Sequence, residues 1–332
     1  MAKVYYDADA DITQISGETV SVIGYGIQGR AQSLNMRDSG LSVIVGNRDD
    51  EYGSRAQSDG FKVFGIDTAT RQADIIIMLI PDEIQAEIYR DQIEKNLKKG
   101  NAIVFAHGFS IRYGLIQPPD HVDCLLVAPR MPGAYVRDFF LHNSGVPAFV
   151  DVKHDATGRA WRRTLGLAKA IGATRAGAMA ISFAEETELD HFSEHFIYPL
   201  IIGALTLSYE VLIENGYPPE AAVMELYGSR ELGEVLIEAA KIGLYQMVEK
   251  HASPACQYGI HSYSRKLLSH NTRTQIQKII DEIKAGTFAA ELLDEQRTGY
   301  RKLKQMRMES HSGPLSAAEA SLRQLIQFRD RE

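Results

Sequence analysis

The chain has 332 residues, 45% of them hydrophobic and 24% charged, enough for two domains with a core each. The formal charge of −7 is spread along the sequence with no basic run, which argues against nucleic acid or an anionic membrane as partner. Cys124 and Cys256 are the two cysteines and show no metal-ligand spacing, which fits a reducing cytoplasm.

The start, "MAKVYYDADADI", is too acidic and polar for a signal peptide. From there to about residue 180, short apolar runs alternate with helical patterns. The strand candidates are "VSVIG", "LSVIVG", "DIIIMLI", "NAIVFA", "CLLVAP" and "PAFVDV". Amphipathic stretches such as "EIQAEIYRDQIEKNLKKG" lie between them, so the pattern predicts a doubly wound parallel sheet with helices on both faces.

The first strand opens into "VSVIGYGIQGRAQS", with Gly24, Gly26 and Gly29 in G-x-G-x-x-G spacing. Glycines let backbone N–H groups approach a pyrophosphate, and the helix N-terminus that follows favours the anion. This context predicts dinucleotide binding. After the second strand, "VGNRDDEYGSRAQ" should meet the adenosine ribose. Arg48, Ser54 and Arg55 suit a 2′-phosphate, whereas Asp49, Asp50 or Glu51 suit free ribose hydroxyls. The choice between NADPH and NADH stays open here, with a lean to NADH.

After Ala180 nearly everything reads as helix, which puts the domain boundary near 181–183 and divides 1–182 from 183–332. "FAEETELDHFSEHF" sets Asp190 and Glu194 four residues apart, on one face of a helix. Leu189, Phe192, Phe196 and Ile197 around them suggest burial. The run "FIYPLIIGALTLSY" falls short of the ~18 residues a membrane span needs, and Pro199 interrupts it.

Taken together, "MAKVYYDADADI", "VIGYGIQG", "IPDEIQAEIY", "FAHGFSI", "VAPRMPG", "RAGAMAISFAEETELDHFSEH" and "AGTFAAELLDEQ" resemble ketol-acid reductoisomerase in its short form, in register over essentially the whole chain. The resemblance implies a Rossmann domain followed by an all-helical, knotted domain, with two subunits completing each site. It implies two Mg²⁺ ions that drive an alkyl migration in a 2-hydroxy-3-keto acid, and reduction of the product by a nicotinamide cofactor. Cofactor contacts would come from Gly24, Tyr25, Gly26, Ile27, Gln28, Gly29, Arg48, Ser54, Pro81, Asp82, His107 and Gly133. His107, Arg130, Asp190 and Glu194 would be catalytic, and Asp190, Glu194 and Glu225 would hold metal. Arg130, Met131, Ser229 and Ser253 would face a small acidic substrate.

The chain departs from the family pattern at three places. Ser229 stands where the resemblance implies the partner subunit's second carboxylate, and a neutral hydroxyl is a poor Mg²⁺ ligand. On a continuous helix Glu231 projects about 200° away from Ser229 and is no replacement. Arg130 and Met131 replace a lysine and a glycine; arginine cannot cycle a proton but grips a carboxylate through its planar fork. In "HASPACQYG" Pro254 and Cys256 replace small or polar neighbours of Ser253, with Cys256 read as a small buried hydrophobe.

The leading expectation is therefore an NAD(P)H-dependent reductase of this family with an impaired isomerase half, using one Mg²⁺ ion or two, in a cytoplasmic homodimer or higher homo-oligomer. The alternatives are a true ketol-acid reductoisomerase and a non-catalytic dinucleotide-binding protein.

Overall fold

Apolar residues alternate between two buried faces along each central strand, and this builds the first half of the chain. Val20, Val22, Ile75, Ile77, Ala102, Val104, Leu125 and Val127 enter one core cluster. Ile23, Ile76, Met78, Ile103, Phe105, Leu126 and Ala128 enter the other, on the opposite face. The computed structural model describes residues 2–268 and 270–326. Its strands are β1 (Val4–Tyr5), β2 (Thr19–Ile23), β3 (Ser42–Gly46), β4 (Lys62–Phe64), β5 (Ile75–Met78), β6 (Ala102–Phe105), β7 (Asp123–Pro129), β8 (Ala148–His154) and β9 (Ala178–Ala180). The helices between them are α1 (Ile27–Asp38), α2 (Glu51–Ser58), α3 (Ile66–Gln72), α4 (Asp82–Ile88), α5 (Phe109–Arg112), α6 (Gly133–Leu141) and α7 (Ala160–Ala170).

The sheet order is β1-β9-β8-β7-β6-β5-β2-β3-β4. Strands β2 to β7 run parallel, and the order reverses between β2 and β5. A crevice forms outside the carboxyl ends of the strands at such a reversal. The expected all-parallel sheet is corrected at one side: β8 runs antiparallel to β7, and β1 antiparallel to β9. Strands β1, β4 and β9, of two or three residues each, are too short to stand out as apolar runs in the sequence.

At the amino ends of the strands, Arg163 ties the sheet together. Its guanidinium is buried and donates to Asp123 Oδ2 at 2.9 Å, Gly100 O at 2.8 Å and Glu18 Oε1 at 2.6 Å. Asp123 also accepts from the Ala156 and Thr157 amides.

The chain divides into two compact units, Met1–Leu189 and Asp190–Glu332. Helix α8 (Phe183–Phe192) starts in the first. Its entry is a capping box, with Ser182 Oγ accepting the Glu185 amide and the Glu185 carboxylate accepting the Ser182 amide. The second unit contains α9 (Tyr198–Glu214), α10 (Pro219–Val223), α11 (Glu231–Ile242), α12 (Leu244–His251), α13 (Pro254–Leu267), α14 (His270–Ala285), α15 (Thr287–Arg297), α16 (Arg301–His311) and α17 (Pro314–Leu325). Its main core joins Tyr209, Ala222 and Val223 to Ala318 and Leu322.

Two expectations for this unit are corrected. Phe183–Glu214 is one helix of 32 residues, long and apolar enough by length and composition to cross a membrane, with 6% of its most apolar stretch buried. Pro199 does not interrupt it, because a π turn at Ser193–Ile197 precedes the proline and absorbs its missing N–H. Leu189 and Ile197 are exposed rather than buried, as are Ile202 (64%) and Leu207 (61%).

Candidate functional site

The parallel strands deliver their chemistry at their carboxyl ends. Gly24 follows β2, Arg48 and Asp50 follow β3, Asp82 follows β5, His107 follows β6 and Arg130 follows β7.

In the turn after β2 each glycine has its own reason. Gly24 has φ +93°, and a Cβ there would meet Leu79 O at 2.7 Å. A Cβ on Gly29 would meet Gly24 O at 2.1 Å, so this glycine allows the helix to close on the strand. Gly26 has open space where a Cβ would project, directly at the N-terminus of α1. Such an open cradle of backbone N–H groups fits a dinucleotide pyrophosphate. The Tyr25 side chain turns inward, packs on Phe61 and donates to Asp59, leaving its backbone at the turn. Ile27 is exposed beside it. Gln28 Nε2 donates to Met131 O at 2.8 Å, and a Cβ on Gly133 would meet Ile27 O at 2.4 Å, so the β7–α6 loop packs on the start of α1.

At the ribose loop, Asp50 caps α2. It accepts from the Tyr52 and Gly53 amides at 2.9 and 3.1 Å and from Asn47 Nδ2 at 2.8 Å. Arg48 Nε donates to its second oxygen at 2.6 Å, and this charge-assisted bond holds the Asp50 carboxyl below the usual range. Ser54 Oγ donates to Asp50 O.

After β6, His107 Nδ1 lies 2.8 Å from Asp82 Oδ2. Pro81 sits immediately before α4. Arg130 NH1 donates to Glu186 Oε1 at 2.9 Å, and its guanidinium lies over the Phe149 ring at 5.0 Å. Glu186 is 0% exposed and accepts the Gly108 amide through Oε2 at 2.7 Å. It therefore joins the loop that holds His107 to the loop that holds Arg130. Sequence reasoning missed Glu186, although it precedes Asp190 by the same four-residue step that separates Asp190 from Glu194.

The second unit holds the other candidates. Asp190 lies on α8 and Glu194 in the π turn; Glu225 lies in another π turn, Met224–Gly228. π turns recur at functional sites. Carboxylate oxygens are hard donors and fit Mg²⁺, but no group of three metal-binding side chains gathers among the described residues. His195, also missed, stacks on His191 and lies tilted against the Phe288 ring, and burial holds its imidazole below the usual range.

Helical geometry no longer excludes Glu231. Arg230 has φ +68°, so the chain turns between Ser229 and Glu231 instead of continuing as helix, and Glu231 opens α11. Ser253 is exposed and caps α13, accepting the Cys256 amide at 3.3 Å. Cys256 is exposed, not buried, because it lies on the first turn of that helix.

The chain is similar to known proteins along nearly its whole length. Residues 14–177 match the family described as "Acetohydroxy acid isomeroreductase, NADPH-binding domain", and residues 183–328 match "Ketol-acid reductoisomerase, C-terminal domain". A ketol-acid reductoisomerase (NADP(+)) of Pyrobaculum calidifontis is 41% identical over 98% of this chain and 99% of its own length. One of Caldivirga maquilingensis is 40% identical over 98% and 99%. A solved NADH-preferring ketol-acid reductoisomerase from an uncultured archean superposes with TM-score 0.93 at 32% identity, covering 98% of this chain and all of that one (100%). The chain belongs to the ketol-acid reductoisomerase family of nicotinamide-dependent oxidoreductases.

Proposed function

We propose that the chain is a ketol-acid reductoisomerase in the full sense, acting on a small 2-hydroxy-3-keto acid. The observation that carries the reading is the convergence of the open glycine turn, His107 and the Arg130–Glu186 pair at one end of the sheet, in a chain that shares 41% identity with an enzyme of that name along its whole length. A bound nicotinamide would supply the hydride, and Mg²⁺ on Asp190, Glu194 and Glu225 would polarise substrate oxygens.

The chain's own groups do the rest. Arg130, fixed by Glu186 and Phe149, offers a permanent cation to the substrate carboxylate, with Ser253 as a second donor. Met131 gives that region an apolar wall, and His107 holds the proton exchanged with the substrate oxygen. Glu231, brought round by the turn at Arg230, is the candidate to replace the carboxylate missing at Ser229. NADH is the preferred cofactor in this reading. The Asp50 carboxylate already occupies the amides at the start of α2 and engages Arg48, so a 2′-phosphate would meet an anion there. The apolar surface of α9 supports a homodimer, with 1–182 carrying cofactor and 183–332 carrying metal, substrate and the subunit contact.

The second reading is the impaired isomerase, and Arg130 favours it because its charge cannot cycle with a proton. The named relatives weigh towards the first. An assay with 2-acetolactate, Mg²⁺ and either nicotinamide separates them. Turnover at about 1–10³ s⁻¹ is the expected result. No turnover, with reduction of an already rearranged keto acid retained, would establish the second reading instead.

A further inference from the structure

The Asp82 side chain is held at both of its carboxylate oxygens. One carboxylate oxygen lies 2.8 Å from His107 Nδ1, and the other accepts Gln85 Nε2 at 2.9 Å. Gln85 is itself fixed: Nε2 also donates to Ile80 O at 3.0 Å, and Oε1 accepts the Ser110 hydroxyl at 2.8 Å. Both Gln85 and Ser110 are buried. The four side chains thus form a line, Ser110 to Gln85 to Asp82 to His107, that joins the loop after β5 to the loop after β6.

We propose that Asp82 is a positioning residue that sets the tautomer and orientation of His107, and that Gln85 and Ser110 lock Asp82 for that task. The inference rests on the reading above, in which His107 handles a proton at the substrate oxygen. An ionised carboxylate only accepts, so Nδ1 must carry the hydrogen that faces Asp82. Nε2 is then the atom that exchanges a proton with substrate. The direction of the line is fixed at Ile80 O, a carbonyl that only accepts and so takes the Gln85 amide nitrogen. The same nitrogen is then aimed at Asp82, and Gln85 Oε1 accepts the Ser110 hydroxyl.

This line makes Asp82→Asn more damaging than the loss of one charge. The new amide oxygen must face the Gln85 donor, which places the new NH₂ group against His107 Nδ1. A donor there forces the hydrogen to Nε2, the opposite tautomer. The expected results in the full-length protein are three. Nitrogen-15 spectra of the wild type show His107 protonated at Nδ1 when neutral. In Asp82→Asn the hydrogen moves to Nε2, and kcat falls at least about 100-fold while KM values for substrate and cofactor stay within about threefold. In Asp82→Asn with Gln85→Leu the amide is free to rotate, and part of the lost turnover returns.

A wild-type spectrum with the hydrogen at Nε2 overturns the proposal without any variant. So does Asp82→Asn with unchanged tautomer and near wild-type kcat, provided His107→Ala is slow. If His107→Ala itself keeps wild-type turnover, the role of His107 in the proposed function fails, and the positioning role falls with it.

Discussion

The two units solve the burial of apolar surface differently. Met1–Leu189 closes both faces of its sheet with its own helices, and its central strands are buried from end to end. Asp190–Glu332 gathers a smaller main core around Tyr209 and Leu322 and leaves large apolar side chains of α9, α11 and α13 exposed. A sheet between two helical layers is self-sufficient, whereas a helix that is apolar nearly all round needs cover from outside itself. In the proposed homodimer that cover is a second copy, so the first unit carries its own stability and the second carries the assembly.

The sharpest way to break this contrast is to charge the uncovered helix. Ile202→Glu with Leu207→Glu should convert the protein to a monomer in sedimentation and abolish turnover, while cofactor binding survives. A stable, active monomer of the unmodified chain would end the comparison. Next in size is the first unit's own ion network. Arg163→Met leaves Asp123 buried without its cation and should cost about 3–5 kcal/mol in denaturant unfolding, with no change in oligomeric state. The glycine turn separates folding from binding within one loop. Gly29→Ala should destabilise by about 1–3 kcal/mol through its contact with Gly24 O. Gly26→Val should abolish cofactor binding in titration and shift stability by no more than about 1 kcal/mol, since a Cβ there meets no protein atom within 4 Å and the remaining cost is that of a poorer N-cap.

Two smaller effects refine the assignment of chemistry to the units. Glu231→Gln should weaken Mg²⁺ binding about tenfold by calorimetry, or 1.4 kcal/mol, whereas Ser229→Ala should leave it unchanged. Asp50→Ser should move the ratio of NADH to NADPH affinity towards NADPH by about fivefold, near 1 kcal/mol.

What was legible in the sequence follows the same division. The six strand candidates and the glycine turn are legible as short apolar runs and local turn chemistry, which a single segment carries in full, whereas His107 stands out only through the family resemblance. Glu186 does neither, because in sequence it is one more acid on a helix. Its meaning lies in two distant loops, one donating from Gly108 and the other from Arg130. The antiparallel β8 was hidden for a related reason, since its composition matches that of its parallel neighbours and only the connection decides direction. In the second unit a continuous helix would set Ser229 and Glu231 about 200° apart, and a non-glycine residue with positive φ at Arg230 breaks that helix. No composition rule announces such a residue. The burial assumed for Leu189 and Ile197 read apolar character as core, although a single chain can present the same residues to a partner.

The π turn at Ser193–Ile197 works as a phase shifter between the carboxylates and the apolar helix beyond them. One residue more than an α-helical turn rotates everything downstream by about 100° relative to everything upstream. Deleting Ser193 would restore plain α-helical phase, leave Asp190 where it is, bring Glu194 from four residues after it to three, and swing the face bearing Ile202 and Leu207 by that angle. The place where this chain is charged and the place where it is greasy are thus kept in angular register by a single inserted residue.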